Sequence, residues 1–535
     1  MKFKKLLTQQ QVIKKMDALK AERGNWETHW QEIADYILPR KNNVIKKQVP
    51  GEKKMQYILD NTGMLSNELL AGALHGLLTN PNATWFELTT GDYRLDTDDQ
   101  VRKWLQKTSK DMHNVLNNSN FQTEVHELYM DLCGFGTACM YIEEDERDYV
   151  RFNAGFIANY YVEENSMGRV DRVYREWQWT ADKIVEEFGL DNVGKKVQDS
   201  FKKMDDVKYC VIHAVYPRTM VGDMENGEFK YISQYLLKED PNVTLRVGGF
   251  REFPYVVPRW SKATGESYGR SPGMNALPEV KVLNKMAETM LIGAQKVVDP
   301  PVQLPDDGFV LPIVTKPGGI NYYRAGSNDY IKPVFNDTRM DFGFQAMQDR
   351  KVRVRESFYV DQLMLQQGPQ MTATEVLQRT EEKMRLLGPM LGRQQSEFLR
   401  PLIDRVFDIM LNNGLIPKQE IPAALQGKKL DVRYSSLIAK SQRLADGQNI
   451  MRTFEAITPA AQADVSVLDN IDVDKVFRAI ATVYGFPEEA IRPKKEVDQM
   501  RQGRAEAQAQ MQQQAQEAQQ TEQMAKLAPI MQQQV

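Results

Sequence analysis

The spacing of hydrophobic residues divides the chain into helical and β-rich stretches. Over residues 8–38, apolar side chains recur every three to four positions, which predicts a helical stripe that ends at Pro39. The same spacing predicts helices at about 61–78, 98–117 and 121–133, and the residues TWFELTT predict a strand at 84–90. We therefore expect the first 130 residues to be mainly helical.

Residues 137–260 have a different pattern, because β-branched and aromatic residues dominate them. The dipeptides Met167-Gly168, Asn226-Gly227 and Gly248-Gly249 are turn signals within this stretch. One helix is predicted inside it, at 180–188. We expect a β-rich unit built of antiparallel hairpins.

Residues 274–298 carry the clearest helical pattern. Their apolar residues lie on one side of a helical wheel, and Lys281, Lys285 and Lys296 lie within a narrow arc on the opposite side. A stretch rich in proline and glycine follows and predicts a compact strand-and-turn insertion. Because a second helix is predicted at about 337–358, the layout is a long helix, a small insertion and a second long helix.

The remaining C-terminal part is expected to be helical. Residues 361–371 contain a single charged residue, Asp361. Thr372 and Glu375 then match a capping box, which predicts the start of a helical region ending near Asn413-Gly414. The tail from residue 494 onward is rich in Gln and Ala and too polar to fold stably alone, so we expect it to be disordered or paired with copies of itself.

Composition narrows the class of protein. The chain has 535 residues, 42% of them hydrophobic and 26% charged, as in a folded protein of several domains. A formal net charge of -3 excludes a uniformly basic nucleic-acid binder, so any DNA contact is expected to be local. The three cysteines indicate a reducing compartment without a disulfide framework. No apolar run approaches the length of a membrane span, so we expect neither a signal peptide nor a membrane anchor.

Motifs for catalysis are scarce. The sequence has no GxxxxGK[ST] phosphate loop and no HExxH, and its five histidines are scattered. Cys133 and Cys139 lie near two of those histidines, but their spacing matches no common pair of zinc ligands. We interpret residues 133–139 as a tight helix-to-strand turn. We expect no enzymatic activity, no cofactor and no metal.

A set of short motifs carries a resemblance to a known family. The motifs are Arg23, Trp26, Trp30, Tyr36, Pro39 and Arg40; LLTNPNATWF at 77–86; Tyr268-Gly269-Arg270-Ser271-Pro272; ALPEVKVLNKM at 276–286; DPP at 299–301; TATEV at 372–376 with Arg379 and Glu382; and Glu397, Pro401 and Arg405. Their order and spacing resemble the portal, or head-to-tail connector, proteins of short-tailed, podovirus-type bacteriophages. The resemblance covers nearly the whole chain, and the Gln-rich tail is its least diagnostic part.

The resemblance implies an α+β, mainly helical portal fold with a wing, a two-helix stem, a clip, a tunnel loop, a helical crown and a C-terminal helical barrel or tail. The implied boundaries are 1–265 for the wing, 266–299 and 334–360 for the stem helices, 300–333 for the clip, 361–371 for the tunnel loop, 372–430 for a long wing helix, 431–493 for the crown and 494–535 for the barrel or tail.

The resemblance also implies a function and partners. Portal proteins form a ring, usually of twelve copies, at one vertex of the capsid in the virion, after assembly in the host cytoplasm. Double-stranded DNA is packaged through the channel by a separate terminase and later ejected. The implied partners are further copies of the chain, DNA, the terminase large subunit, the major capsid and scaffolding proteins, a tail adaptor or tail tube protein, and internal core proteins. The ring would also nucleate capsid assembly.

Three groups of residues are candidate functional sites. The first is a DNA valve in the tunnel loop, formed by uncharged side chains: Gln362, Leu363, Met364, Leu365, Gln366, Gln367 and Gly368. The second is the lysine stripe, Lys281, Lys285 and Lys296, as a channel lining. The third is the clip, with Asp306, Asp307 and Lys316 as contacts for partner proteins.

Each candidate has a simpler alternative. The loop could be an exposed linker that touches nothing, the lysines could face outside or pair with acids of a neighbour, and the clip residues could be solvated. At the level of the whole protein, the alternatives are another virion component, such as a tail adaptor or internal core protein, or a nucleic-acid-processing enzyme. The enzyme would need a carboxylate cluster for metals or a phosphate loop.

Overall fold

The structure is a computed structural model that describes most of the chain. The described residues are 5–46, 49, 51–56, 58–96, 98–222, 229–240, 243–303, 312–314, 320, 322, 332–333, 340–363, 388–425, 430–434, 450–453, 455–459, 471–483, 490–492 and 494–531.

Helices account for most of the described residues. In chain order they are α1 (Gln9–Glu22), α2 (Gly24–Tyr36), α3 (Thr62–Leu78), α4 (Tyr93–Asp96), α5 (Asp99–Asn118), α6 (Phe121–Phe135), α7 (Ala181–Phe188), α8 (Lys195–Lys203), α9 (Pro272–Val298), α10 (Met340–Ser357), α11 (Val360–Leu363), α12 (Arg400–Asn412), α13 (Val473–Val483) and α14 (Lys494–Met531).

The strands are short and pair only in antiparallel fashion. They are β1 (Phe86–Thr89), β2 (Cys139–Asp145), β3 (Tyr149–Gly155), β4 (Tyr160–Glu164), β5 (Val170–Thr180), β6 (Lys208–Pro217), β7 (Tyr231–Leu237), β8 (Thr244–Phe250), β9 (Tyr255–Val256), β10 (Val302–Gln303), β11 (Lys332–Pro333) and β12 (Asp431–Tyr434).

The chain divides into two compact units. The first contains residues 1–85 and 111–418, and the second contains residues 86–110 and 419–535. In the second unit β1 pairs with β12, and Arg478 of α13 donates a hydrogen bond of 2.8 Å to Asp99. The motifs that carry the family resemblance fall almost entirely in the first unit.

The first unit contains a five-stranded sheet in the order β4-β5-β6-β7-β8 and a three-stranded sheet in the order β3-β2-β9. Alternate residues of β6 contact opposite layers, as the twofold side-chain period of a strand requires. Ile212 packs with Val12 and Met16 of α1, whereas Val211 packs with Ile184 of α7. The five-stranded sheet therefore lies between α1 on one face and α7 with α8 on the other.

The predicted β-rich unit is present, with two differences. Gly168 has a φ of 74° and forms the predicted turn between β4 and β5. Gly248-Gly249 does not form a turn, because both glycines lie inside β8 and pair with β7. Helix α8 was not predicted, because its sequence is largely polar with only a narrow apolar face. Asn226-Gly227 lies outside the described residues.

The predicted helical stripe at 8–38 is interrupted. Helix α1 ends and α2 begins at Arg23, whose guanidinium turns inward and is only 2% exposed. It donates hydrogen bonds to the carbonyl oxygens of Ile157, Ala158 and Tyr160 at 3.2, 2.7 and 2.6 Å. Apolar residues on both sides of Arg23 face the core, so their helical spacing continues across it. The spacing alone therefore does not predict the break between α1 and α2.

The two predicted long helices are present, whereas most residues of the predicted insertion between them lie outside the described residues. Helices α9 and α10 flank the insertion, and β10 pairs with β11 to close its base. The tail forms the long helix α14, in which the side chains of residues 501–514 are exposed. Residues 395–399 form a π-helical turn before α12, where Pro401 lacks the amide hydrogen needed for a regular helical bond.

Candidate functional site

Helices α9 and α10 form an antiparallel pair. Near the start of α9, Glu279 accepts a hydrogen bond of 2.5 Å from Arg350 near the end of α10. Further along α9, Met290 lies over Gly343 near the start of α10, where a Cβ atom would stand 2.5 Å from the methionine sulfur. Gly343 thus allows the two helices to approach closely at that level.

The base of α9 is held by motif residues that are distant in sequence. Tyr268 packs edge-on against Trp30 with ring centroids 5.1 Å apart, and Trp26 lies 5.9 Å from Tyr268. Trp30 also donates a hydrogen bond of 3.1 Å to the carbonyl oxygen of Phe135. The guanidinium of Arg270 lies over the ring of Trp26 at 4.9 Å. The tryptophan motif and the Tyr268–Pro272 motif therefore form one cluster.

Close backbone contact explains the glycines beside this cluster. Gly136 ends α6 with a φ of 80°, and a Cβ atom there would stand 2.4 Å from the carbonyl oxygen of Gly269. A Cβ atom at Gly269 would likewise stand 2.4 Å from the carbonyl oxygen of Gly136. Ser271 caps α9 by accepting a hydrogen bond of 2.9 Å from the amide of Met274, and its hydroxyl donates to the carbonyl of Gly134 at 2.6 Å. The predicted tight turn at 133–139 is confirmed.

A buried arginine joins three segments of the first unit. Arg259, 1% exposed, donates hydrogen bonds to both carboxylate oxygens of Glu397 at 2.8 and 2.9 Å, and it also bonds Glu164 at the end of β4. Its backbone carbonyl accepts a hydrogen bond of 2.9 Å from Gln394. Although burial lowers the pKa of Arg259, the hydrogen bonds and charges of Glu397 and Glu164 outweigh it and raise the pKa above its ordinary value. The π-helical turn that carries Glu397 is therefore tied to the loop before α9.

Arg259 is not among the functional residues that the sequence predicts. A signal was present, because Arg259 is the only charged residue in the otherwise apolar run Phe253–Trp260. Charged residues are almost never fully buried unless they are paired. The identity of the partners Glu397 and Glu164 could not be read from the sequence, because both lie more than 90 residues away.

The paired helices expose a set of apolar side chains, which we name the apolar helix surface. These side chains lie at several angles around the two helices and do not form a single stripe. Its members, with exposed fractions between 42% and 85%, are Val282, Leu291, Ile292, Val297 and Val298 on α9, and Phe342, Phe344 and Val352 on α10.

The three candidate lysines lie on α9 but differ in their surroundings. Lys281 forms an ion pair of 2.8 Å with Glu32 of α2 and lies 5.8 Å from the ring centre of Tyr36. Lys285 forms an exposed ion pair of 2.7 Å with Glu288 on the same helix. Lys296 is exposed in the last turn of α9.

The candidate loop and clip residues are described only in part. Gln362 and Leu363 end the short helix α11, while Met364 to Gly368 lie outside the described residues, as do Asp306, Asp307 and Lys316. The chain before the loop is firmly placed, because Phe358 and Val360 are buried and Tyr359, with a φ of 58°, stacks on Trp260 at 6.2 Å. The loop therefore starts from a fixed base.

Neither a metal centre nor a membrane span is found in the part of the chain that the structure describes. There, no three His, Cys, Asp or Glu side chains come together as a potential metal site. No described helix is both long and apolar enough to cross a membrane.

Comparison with known proteins identifies the family. Residues 9–491 match the family described as bacteriophage head to tail connecting protein. The chain is 34% identical over 531 residues to the probable portal protein of Bordetella phage BPP-1, an alignment that covers 97% of this chain and 95% of the relative. It is 31% identical over 515 residues to the portal protein of Salmonella phage epsilon15, covering 94% and 92%. Identity to the portal protein of Enterobacteria phage T3 is 23% over 430 residues, covering 75% and 74%. This chain belongs to the family of bacteriophage head to tail connecting proteins.

Proposed function

We propose that the chain assembles into a ring-shaped channel at one capsid vertex, through which double-stranded DNA is packaged by a separate terminase motor, retained and later ejected. The ring also serves as the platform for a tail adaptor and nucleates capsid assembly. Portal proteins of Bordetella phage BPP-1 and Salmonella phage epsilon15, to which the chain is similar over more than nine tenths of its length, support this role.

The observation that carries the proposal is the apolar helix surface. When a neighbouring copy covers an exposed apolar side chain, the free energy of association becomes more favourable by about 25 cal/mol per Å² of apolar area removed from water. Because the surface lies on two long helices that run side by side, one copy can cover the helices of the next around a closed ring. The twelve-copy ring is the arrangement that we propose.

Within this ring, the lysines of α9 meet the DNA. The ion pair of Lys285 with Glu288 is exposed, and that of Lys281 with Glu32 is partly exposed, so each contributes little, about 0–1 kcal/mol. Phosphate groups can replace Glu288 and Glu32 as partners of these lysines at a small cost in free energy. Together with Lys296, these residues form a positive belt on an otherwise slightly acidic chain.

The insertion and the tunnel loop complete the proposed channel. The insertion between α9 and α10, closed at its base by β10 and β11, docks the terminase during packaging and the tail adaptor afterwards. The tunnel loop, which is uncharged from residue 362 to 371, narrows the channel and holds packaged DNA without binding its phosphates. The fixed position of Phe358 and Val360 gives this valve a rigid support.

Substitutions in the apolar helix surface test the proposal. Leu291→Glu combined with Phe342→Glu should leave the chain monomeric, because charged side chains would have to be buried between copies. Met167→Glu combined with Met204→Glu is the matched control, since these methionines are even more exposed, at 81% and 87%, but lie on β-unit turns outside the two helices. Light scattering and negative-stain images give the readout. Rings formed by the Leu291/Phe342 variant as readily as by the control would contradict the proposal.

A further inference from the structure

A cavity of about 520 Å³ lies in the first unit and contains no residue of α9 or α10. Its floor is the face of the five-stranded sheet at the cross-strand pair Ser233 and Gly248. One wall comes from Tyr141 and Glu143 of β2, and another from Arg405 of α12. This volume lies in the range of about 300–1,000 Å³ that is typical of ligand sites.

Gly248 leaves space where any other residue would place a side chain. A Cβ atom at this position would have no atom within 4 Å, and the backbone is not in the left-handed region. Neither crowding nor backbone conformation therefore requires glycine here. A glycine inside a strand weakens it, and one reason to retain it is the close approach of a ligand or another backbone.

Arg405 is the most unusual side chain of the cavity. It is only 2% exposed, and its guanidinium lies over the ring of Phe250 at 5.0 Å from the ring centre. Its hydrogen bonds to Asp408 and to the carbonyl oxygen of Ile142 are 3.3 and 3.5 Å long, beyond the usual range of about 2.7–3.2 Å. Within the described part of the chain, its second terminal nitrogen has no hydrogen-bond partner. Burial lowers the pKa of Arg405 despite the nearby charge of Asp408, which is the effect of a cation that is incompletely compensated.

The floor of the cavity is rigidly held. His213, 1% exposed, makes hydrogen bonds of 2.9 Å to the hydroxyl of Ser233 and 2.6 Å to that of Tyr255. Its ring also stacks on Tyr235 at 4.0 Å. Ser233 and Tyr235 are thus fixed in place before anything enters the cavity.

We propose that this cavity binds an acidic side chain presented by an extended segment of a partner polypeptide, with Arg405 as the anchor of its carboxylate. A guanidinium with unused donors matches a carboxylate in a two-pronged arrangement. The cavity as a whole is balanced, since Glu143, Glu144 and Asp408 accompany Arg246, Arg251 and Arg405. Exposed Glu144 and half-buried Glu143 repel a free polyanion, but they accept hydrogen bonds from peptide amides. That combination favours a polypeptide over a small anion.

The proposal is tested with the purified full-length chain and a pair of labelled peptides, Ala-Gly-Glu-Gly-Ala amide and its Gln counterpart. Fluorescence anisotropy should show at least tenfold tighter binding of the Glu peptide. Gly248→Leu should abolish this preference, because the new side chain fills the cavity without strain. Gly392→Leu, at another glycine whose added Cβ would have no atom within 4 Å, is the control and should bind as the natural chain does.

Arg405→Lys is the second variant. It keeps the positive charge but loses the two-pronged geometry, so it should bind the Glu peptide about tenfold more weakly. Melting curves check that each variant is folded. Equal binding of the Glu and Gln peptides, or undiminished binding by Gly248→Leu, would overturn the proposal. Glutarate that binds as tightly as the Glu peptide would overturn the assignment to a polypeptide.

Discussion

At the scale of single residues, two of the motifs that resemble portal proteins, the tryptophan motif and Tyr268–Pro272, are explained by packing at the base of α9. Trp26, Trp30 and Tyr268 pack against one another in tilted and edge-on contacts, and Gly136 and Gly269 approach closely through their backbones. Arg259 connects the loop before α9 to Glu397. These residues fix the start and the direction of α9, so they influence function by positioning this helix.

The backbone contact predicts a large penalty for Gly136→Ala. The methyl group would require a left-handed alanine, at about 1–2 kcal/mol, and would also push against the carbonyl of Gly269, adding about 1–3 kcal/mol. Gly265→Ala is the matched control, because Gly265 has a similar φ of 84° but no atom within 4 Å of the added Cβ. Urea unfolding should show that Gly136→Ala lowers the free energy of unfolding more than Gly265→Ala does. An equal decrease in the free energy of unfolding for both variants would show that the close approach of Gly136 to Gly269 adds nothing to the penalty.

Arg259→Met should destabilise the first unit by about 3–5 kcal/mol, because it leaves Glu397 and Glu164 without their buried partner. Arg393→Met removes another partner of Glu397, at 2.8 Å, but its side chain is 33% exposed. That control should lose no more than about 1 kcal/mol. Unfolding midpoints in urea measure both. A small effect of Arg259→Met would mean that the network contributes little to stability.

At the scale of elements, periodicity in the sequence predicted the long helices well and irregular elements poorly. Helix α9 spans Pro272–Val298 where 274–298 was predicted, since its apolar face is buried along its first half. The break at Arg23 and the glycines inside β8 were missed, because both depend on contacts made far along the chain. Of the candidate sites, the lysines could be placed on α9 in advance, whereas the buried network around Arg259 could not.

The lysines of α9 lead to a prediction about salt. Replacing Lys281, Lys285 and Lys296 together by Gln should make DNA association with the ring less dependent on salt, with a slope smaller by about 0.9 for each lost phosphate contact. Lys195, Lys202 and Lys203 on α8, replaced in the same way, are the control and should leave the slope unchanged. An unchanged slope for the α9 variant would exclude these lysines from the DNA path.

The proposed tunnel loop leads to a prediction about retention. If this loop narrows a DNA channel, removing residues 364–368 should allow packaging to begin but let DNA leak out. Gln366→Asn keeps both length and neutrality and should retain DNA normally. The amount of nuclease-protected, full-length genome measured over time distinguishes the two variants. Full retention by the shortened loop would contradict a valve.

At the scale of the whole molecule, the features that stay unsatisfied in one copy point to assembly. The apolar helix surface is exposed, and the long polar helix α14 exposes the side chains of residues 501–514. A polar helix of this length gains stability mainly by packing against a partner. In the proposed ring, the net charge of -3 per copy would add up to an acidic assembly, which would favour solubility or prevent DNA from adhering.

The most direct test of the proposed channel is the mass of the native assembly. Twelve copies of 61.5 kDa would weigh about 738 kDa. In a closed ring the last copy contacts the first, so the number of copies is fixed and the assembly has one discrete mass. Native mass spectrometry of the purified chain should therefore show a single dominant oligomer near that mass. A chain that stays monomeric under all assembly conditions, or a continuous ladder of open oligomers, would contradict the account.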